Sequence, residues 1–271
     1  MSAVWALRFT ATLMVSRPTE IQPTVRVAAV SYPGGAPHRY GCQDDTCAFD
    51  AIIRAAAREG VEVVVTSEYS TPQRQSEPRV SLGGRPSAKA PLQAMFSALA
   101  AELDLYLAIN LETEDSEGKA FNSLVVFDPR GLVVARHDKV ELFEGERQAL
   151  EPGQSVSILD TPYGRLGFLI CADLYTEPRL HRTLTETLGA QIVLVSAAWT
   201  VPVATRWQAA FAHDWHVFVV AANASLGKGR GGGVFDDRGQ PIARPGRVPD
   251  LHIADIPRAP LEGSAGSNRL R

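Results

Sequence analysis

The chain has 271 residues, 45% of them hydrophobic and 21% charged, which fits a soluble globular protein and excludes a disordered, collagenous or membrane-spanning chain. A net charge of -3, with no long Lys/Arg block, gives no electrostatic footprint for nucleic acid or an anionic membrane. At this length roughly 75% of the unfolded chain's surface can be buried, so one large core stands without metal or disulfide.

Residues 1–24 hold a short apolar stretch broken by Arg8, with no basic start and no clear small-residue cleavage site. The segment is too short to span a membrane and reads as a leader, disordered or weakly targeting. The expected compartment is the cytoplasm, with export as the alternative. Residues 25–271 read as a single domain, because no repeat, composition shift or long linker divides them.

From Val25 onward, apolar β-rich runs alternate with helical patterns, which predicts an α/β fold. The runs are residues 25–30 (VRVAAV), 61–68 (VEVVVTSE), 105–112 (LYLAINLE), 123–128 (SLVVFD), 132–140 (LVVARHDKV), 165–171 (RLGFLIC), 190–199 (AQIVLVSAAW) and 216–223 (HVFVVAAN), then VFDDRGQPIAR and LHIADIP. Several are continuously apolar, so both faces are expected to be covered. In GCQDDTC, Cys42 and Cys47 leave a local disulfide, a loose metal clip and two unrelated thiols all open. The next stretch, residues 45–60, carries Ala48, Ile52, Ile53 and Ala56 at helical spacing and stops at Gly60. Residues 90–104 and 177–190 read as further helices, the second with Pro178 in its first turn and Gly189 at its end. Between them, residues 121–140 read as two strands joined by Asp-Pro-Arg-Gly, a hairpin, so the sheet is mixed. This order predicts two sheets packed on each other and covered outside by helices.

The strongest local feature is GRLGFLICADLYTEPRL, where an apolar strand ends at Cys171 and a helical pattern begins soon after. A nucleophile at such a strand-to-helix turn is exposed at the sheet's carboxyl edge, and the N–H of Ala172 is placed to donate to an oxyanion. The default for a cysteine after Phe-Leu-Ile is a small buried hydrophobe, and a free thiol needs a base or cation nearby to react. Glu68 and Lys139 close two other apolar runs, at strand ends that converge on a cleft in such sheets. A desolvated carboxylate there can take the thiol proton and an ammonium can hold an oxyanion. Taken singly, each reads first as a rim charge on a solvated loop.

Together, VVVTSE, ARHDKVELFEGERQ and GFLICADL resemble the glutamate, lysine and cysteine signatures of the nitrilase superfamily, in that order and at comparable spacings. FNSLVVFDPRG, LEPG and GAQIVLVSAAW resemble the hairpin, the loop before the cysteine strand and the strand after it, so the likeness covers most of the chain from Val25. Two stretches, FDPRGLVVARHDKVELFEGERQ and SAAWTVPVATRWQAAFAHDWHVFVVAAN, are similar to the vanin (pantetheinase) and biotinidase branch, hydrolase domain only. The resemblance implies an α-β-β-α sandwich and cleavage of a small linear amide through a cysteine thioester, without cofactor or metal. It makes Cys171 the nucleophile, Glu68 the base, Lys139 the oxyanion stabiliser and Glu146 their positioning glutamate, with Glu144 as the competitor. Tyr69, Trp199 and Ala172 would face the substrate, and a homo-oligomer is implied. Nitrile hydrolysis by the same site and a non-catalytic binding protein of this fold are the alternatives.

Ser67 stands where the family commonly has proline, and FAHDWH replaces a frequent polar element after the tryptophan, so substrates of other branches do not transfer. GKGRGGG lacks the GK[ST] ending of a phosphate loop and is followed by no helix pattern. Its Lys228 and Arg230 could meet a substrate carboxylate or phosphate, or be solvated. Asp173 reads as a cap on the helix after the nucleophile. No CxxC pair, HExxH or histidine cluster points to a metal, and no GxSxG to a serine hydrolase.

Overall fold

A computed structural model describes residues 23–71, 76–175, 178–199, 203–224 and 231–258. In chain order, strand β1 (Thr24–Val30) leads to helix α1 (Asp45–Arg58), strands β2 (Val63–Thr66) and β3 (Glu77–Pro78) and helix α2 (Pro91–Leu103). Strands β4 (Tyr106–Glu114), β5 (Ala120–Phe127), β6 (Val133–Asp138), β7 (Ile158–Thr161) and β8 (Gly164–Ile170) follow. The short helix α3 (Pro178–Arg182), β9 (Ile192–Ala197), α4 (Val203–Trp215), β10 (Phe218–Asn223), β11 (Gly233–Phe235), β12 (Arg244–Pro245) and β13 (Leu251–Pro257) complete it.

Among the described residues the strands form two mixed sheets. The larger runs β12-β13-β1-β2-β4-β5-β6, with β3 on β4, and the smaller runs β11-β10-β9-β8-β7. Alternation explains the unbroken apolar runs. On β1, Val25, Val27 and Ala29 face the other sheet, where they meet Leu166, Phe168 and Leu194, while Ala28 and Val30 face α1 and α2. A third cluster joins the outer face of the small sheet to Leu184 and to Phe211 and Ala212 of α4. The layers are helix, sheet, sheet and helix, the expected sandwich. Helix α1 starts where Asp44 accepts the Cys47 N–H at 2.8 Å and ends before Gly60, whose φ of 76° suits glycine.

Several expectations need correction. Cys42 and Cys47 form a disulfide just before and within α1, which removes the metal clip and the pair of unrelated thiols. The run 61–68 is a strand over Val63–Thr66 alone, so Glu68 lies two residues beyond it. Residues 177–190 are not one α-helix: α3 passes into a π turn over Thr183–Thr187. There, Thr183 and Thr185 hydroxyls donate to the carbonyls of Arg179 and His181, and Leu184 packs onto bare Gly167 of β8. Helix α4 and strands β3 and β7 were not foreseen. Residues 1–22, Lys228 and Arg230 lie outside the described residues.

Candidate functional site

Three chain segments converge where the two sheets meet. After β2, the Glu68 N–H donates to the carbonyl of Ala197 at 3.3 Å, tying a loop of the large sheet to the end of β9. Ser67 donates its hydroxyl to the Tyr32 carbonyl at 2.8 Å, a bond that proline could not make. Lys139 follows β6, with its N–H on the Asn122 carbonyl at 2.8 Å and its carbonyl accepting from Gly153 at 2.7 Å. Gly153 is required there, since a Cβ would stand 2.0 Å from the Asp138 carbonyl oxygen. Cys171 follows β8 with φ 45°, and Tyr69 has φ 52°. Left-handed backbone on such residues costs free energy and turns each side chain out of the strand direction, into the junction between sheets.

The side chains form one buried network. Lys139 Nζ donates to Glu68 Oε1 at 2.8 Å and to Glu146 Oε1 and Oε2 at 2.9 and 2.7 Å. Asn122 Nδ2 reaches the same carboxylates at 2.9 and 3.2 Å, and Asn110 Nδ2 donates to Asn122 Oδ1 at 2.7 Å. Glu146 also accepts the Phe143 N–H at 2.7 Å and the Tyr69 hydroxyl. The Cys171 sulfur lies close enough to Glu68, Lys139 and the Ala198 N–H for each to act on its ionisation. Glu68 is 1% exposed and Lys139 2%, so neither is a rim charge.

Two carboxylates and one ammonium leave this pocket one negative charge in excess when the thiol is protonated. Burial pushes the Glu68 carboxyl above its ordinary 4.5, against the pull of Lys139. Glu146 goes the other way: burial opposes, but Lys139 and the Tyr69 hydroxyl hold it low. Burial disfavours the Lys139 ammonium too, yet Glu68 and Cys171 outweigh it and keep the amine charged beyond its usual range. Burial, then the Glu68 charge, raises the Cys171 thiol, against the pull of the Lys139 ammonium.

Of the residues singled out in the sequence, Glu68, Lys139, Cys171 and Glu146 come together, whereas Glu144 is exposed. Tyr69 is 49% exposed and its hydroxyl holds Glu146. Trp199 is half-buried near the Cys171 turn, its backbone pinned by both ends of the Asn223 amide at 2.7 and 2.9 Å. The Tyr175 ring bridges Trp199 and Trp207, at 5.7 and 4.7 Å between centroids. Ala172 is the second residue of a short 3-10 turn over Cys171–Leu174. Asn110, Asn122 and Tyr175 went unread in the sequence. The legible signal for the two asparagines was an amide inside an otherwise apolar strand run. Among the described residues, no group of three or more His, Cys, Asp or Glu could hold a metal ion.

The sequence profile of the family described as carbon-nitrogen hydrolase matches residues 48–263. The chain belongs to that family. This hydrolase is 27% identical over 189 residues to the omega-amidase NIT2-B of Xenopus laevis, a match covering 64% of the hydrolase and 66% of that enzyme. It is 28% identical over 208 residues to the pantetheinase of Mus musculus, covering 64% of the hydrolase and 40% of the pantetheinase. The chain thus spans just under two thirds of the omega-amidase and less of the pantetheinase, which leaves the vanin lean weakly supported. Its fold is that of Saccharomyces cerevisiae Nit3, a member of branch 10 of the nitrilase superfamily, at TM-score 0.72 and 22% identity over 87% of the hydrolase and 90% of that chain. The profile match sets the family of the chain, and the structural match its fold. No helix among its described residues is long and apolar enough to cross a membrane.

Proposed function

We propose that the hydrolase cleaves a small linear amide through a thioester on Cys171. Glu68 takes the thiol proton as Sγ attacks the amide carbon, and the carbonyl electron pair moves onto oxygen. Of the three N–H bonds of Lys139, one serves Glu68 and one is shared by the two Glu146 oxygens, so the third can meet the oxyanion. The C–N bond then breaks, Glu68 returns its proton to the leaving amine, and a thioester remains. Glu68 next takes a proton from water, which attacks the thioester; Cys171 leaves and is reprotonated, and a carboxylic acid departs. Glu146 holds the ammonium, while Tyr69 holds Glu146 from the substrate side.

One observation carries this reading: a single buried ammonium bonded to two carboxylates, one of which acts electrostatically on the only free thiol of the three cysteines. The likeness to an omega-amidase and a pantetheinase supports reading the substrate as an amide before a nitrile. Intact-mass trapping from a pool of linear amides should give an acyl adduct on wild-type protein, and none on Cys171→Ala. Amine release by the alanine variant at the wild-type rate would reject the assignment. Residues 25–271 are taken as one catalytic unit that assembles as a homo-oligomer; light scattering at the 29.3 kDa of one chain would count against the assembly.

A further inference from the structure

Another buried carboxylate stands behind the Cys171 turn, outside the cluster around Lys139. Asp173 and His137 are both fully buried. Asp173 Oδ1 accepts the N–H groups of Val140 and Glu141, the two residues after Lys139, at 3.0 and 2.7 Å. Its Oδ2 accepts the N–H of Ile170, the residue before Cys171, at 3.0 Å, and lies 2.9 Å from Nε2 of His137, two residues before Lys139. The sequence reading of Asp173 as a helix cap is therefore too narrow. Lys139 comes from the edge strand of one sheet and Cys171 from the other, and no strand-pairing ladder joins β6 to β8. One carboxylate spans that gap.

We infer that Asp173, oriented by His137, is a positioning residue that sets the spacing between the Lys139 ammonium and the Cys171 thiol. Deletion of the clamp then costs rate through geometry, because both catalytic segments are held from one point. His137 supports this. Its Nδ1 is buried and has no hydrogen-bond partner among the described residues, so its bond to Asp173 is what justifies a polar ring at a site where an apolar side chain would otherwise pack. His181 adds a brace, with Nε2 2.6 Å from the Asp173 carbonyl oxygen. Asparagine at 173 keeps the shape but turns an amide N–H₂ toward donors on one side, and leucine at 137 removes the orienting bond while filling the volume.

The inference rests on the reading of Cys171 as nucleophile, but its test does not need the natural substrate. Under non-reducing conditions, alkylation of Cys171 by iodoacetamide is followed by intact mass for wild type, Asp173→Asn, His137→Leu and His137→Gln, with the folded fraction taken from urea titrations. The expected result is a fall of about tenfold or more per folded molecule in Asp173→Asn and His137→Leu, since displacement by about 1 Å can cost on the order of 100-fold. His137→Gln, which keeps an N–H donor, should recover most of the rate. On any amide that wild type hydrolyses, kcat should fall with KM little changed. Alkylation within about threefold of wild type in folded His137→Leu, whatever its stability, would overturn the assignment; if Asp173→Asn does not fold, the Leu and Gln pair at 137 decides alone. Loss of all amide turnover in wild type, with the alkylation pattern intact, would instead overturn the proposed function and spare this one.

Discussion

At Lys139 a single charge satisfies two buried carboxylates, and that asymmetry governs what substitution there should do. Lys139→Met leaves Glu68 and Glu146 facing each other without a cation, and should lower stability by about 3–5 kcal/mol in urea titration at pH 7. The folded pKa of Glu68 is raised, so its contribution to stability is full below the ordinary value of 4.5 and is lost as pH rises through the folded value. Glu146 is lowered and does the reverse, contributing above its ordinary 4.5 and losing that as pH falls through its folded value. A base must be ionised to act. The acid limb of kcat/KM should therefore have its midpoint above 4.5, with no alkaline loss from Lys139 below 10.5; a midpoint at or below 4.5 excludes Glu68 as the titrating base. The disulfide makes a simpler prediction. Thiol titration of the denatured, unreduced chain should return one thiol, and reduction should return three. The three principal residues were legible because each closes an apolar run. Asn110 and Asn122 were not, because an amide within a strand declares its partner only after β4 and β5 have paired.

At the level of elements, the helix period and the strand alternation located α1, α2 and most strands within a few residues. Boundaries moved where loops do the positioning, as at Glu68 and Cys171. The segment 151–157 shows why: Gly153 lies against the backbone of β6, and its N–H holds the Lys139 carbonyl. Gly153→Ala should push that segment off the lysine, costing about 1–3 kcal/mol by overpacking and lowering amide turnover further than its thermal shift predicts. Melting curves read beside initial rates check this, and an alanine variant as stable and active as wild type would show that the loop yields freely. The π turn after α3 was invisible in a sequence whose apolar spacing reads equally well as α-helix. Its cause is a contact with Gly167 on another strand.

For the molecule as a whole, the inter-sheet core serves both stability and the site, because the segments carrying Glu68 and Lys139 leave one sheet and Cys171 leaves the other. Phe168 is fully buried in that core. Phe168→Ala should destabilise by about 3–5 kcal/mol in urea titration, with the alkylation rate of Cys171 per folded molecule changed much less, because β8 still delivers the cysteine. An equal loss in both would mean that core packing tunes the site directly.

Read alone, the chain determined its own class: alternating patterns dictate an α/β sandwich, and three polar residues at the ends of apolar runs stand out as the candidates for chemistry, since such positions are local properties of the chain. Which glutamate meets the lysine, which cysteines pair, and how one aspartate holds two sheets in register were decided in three dimensions. Those are contacts between residues up to 71 positions apart, and no local spacing encodes them.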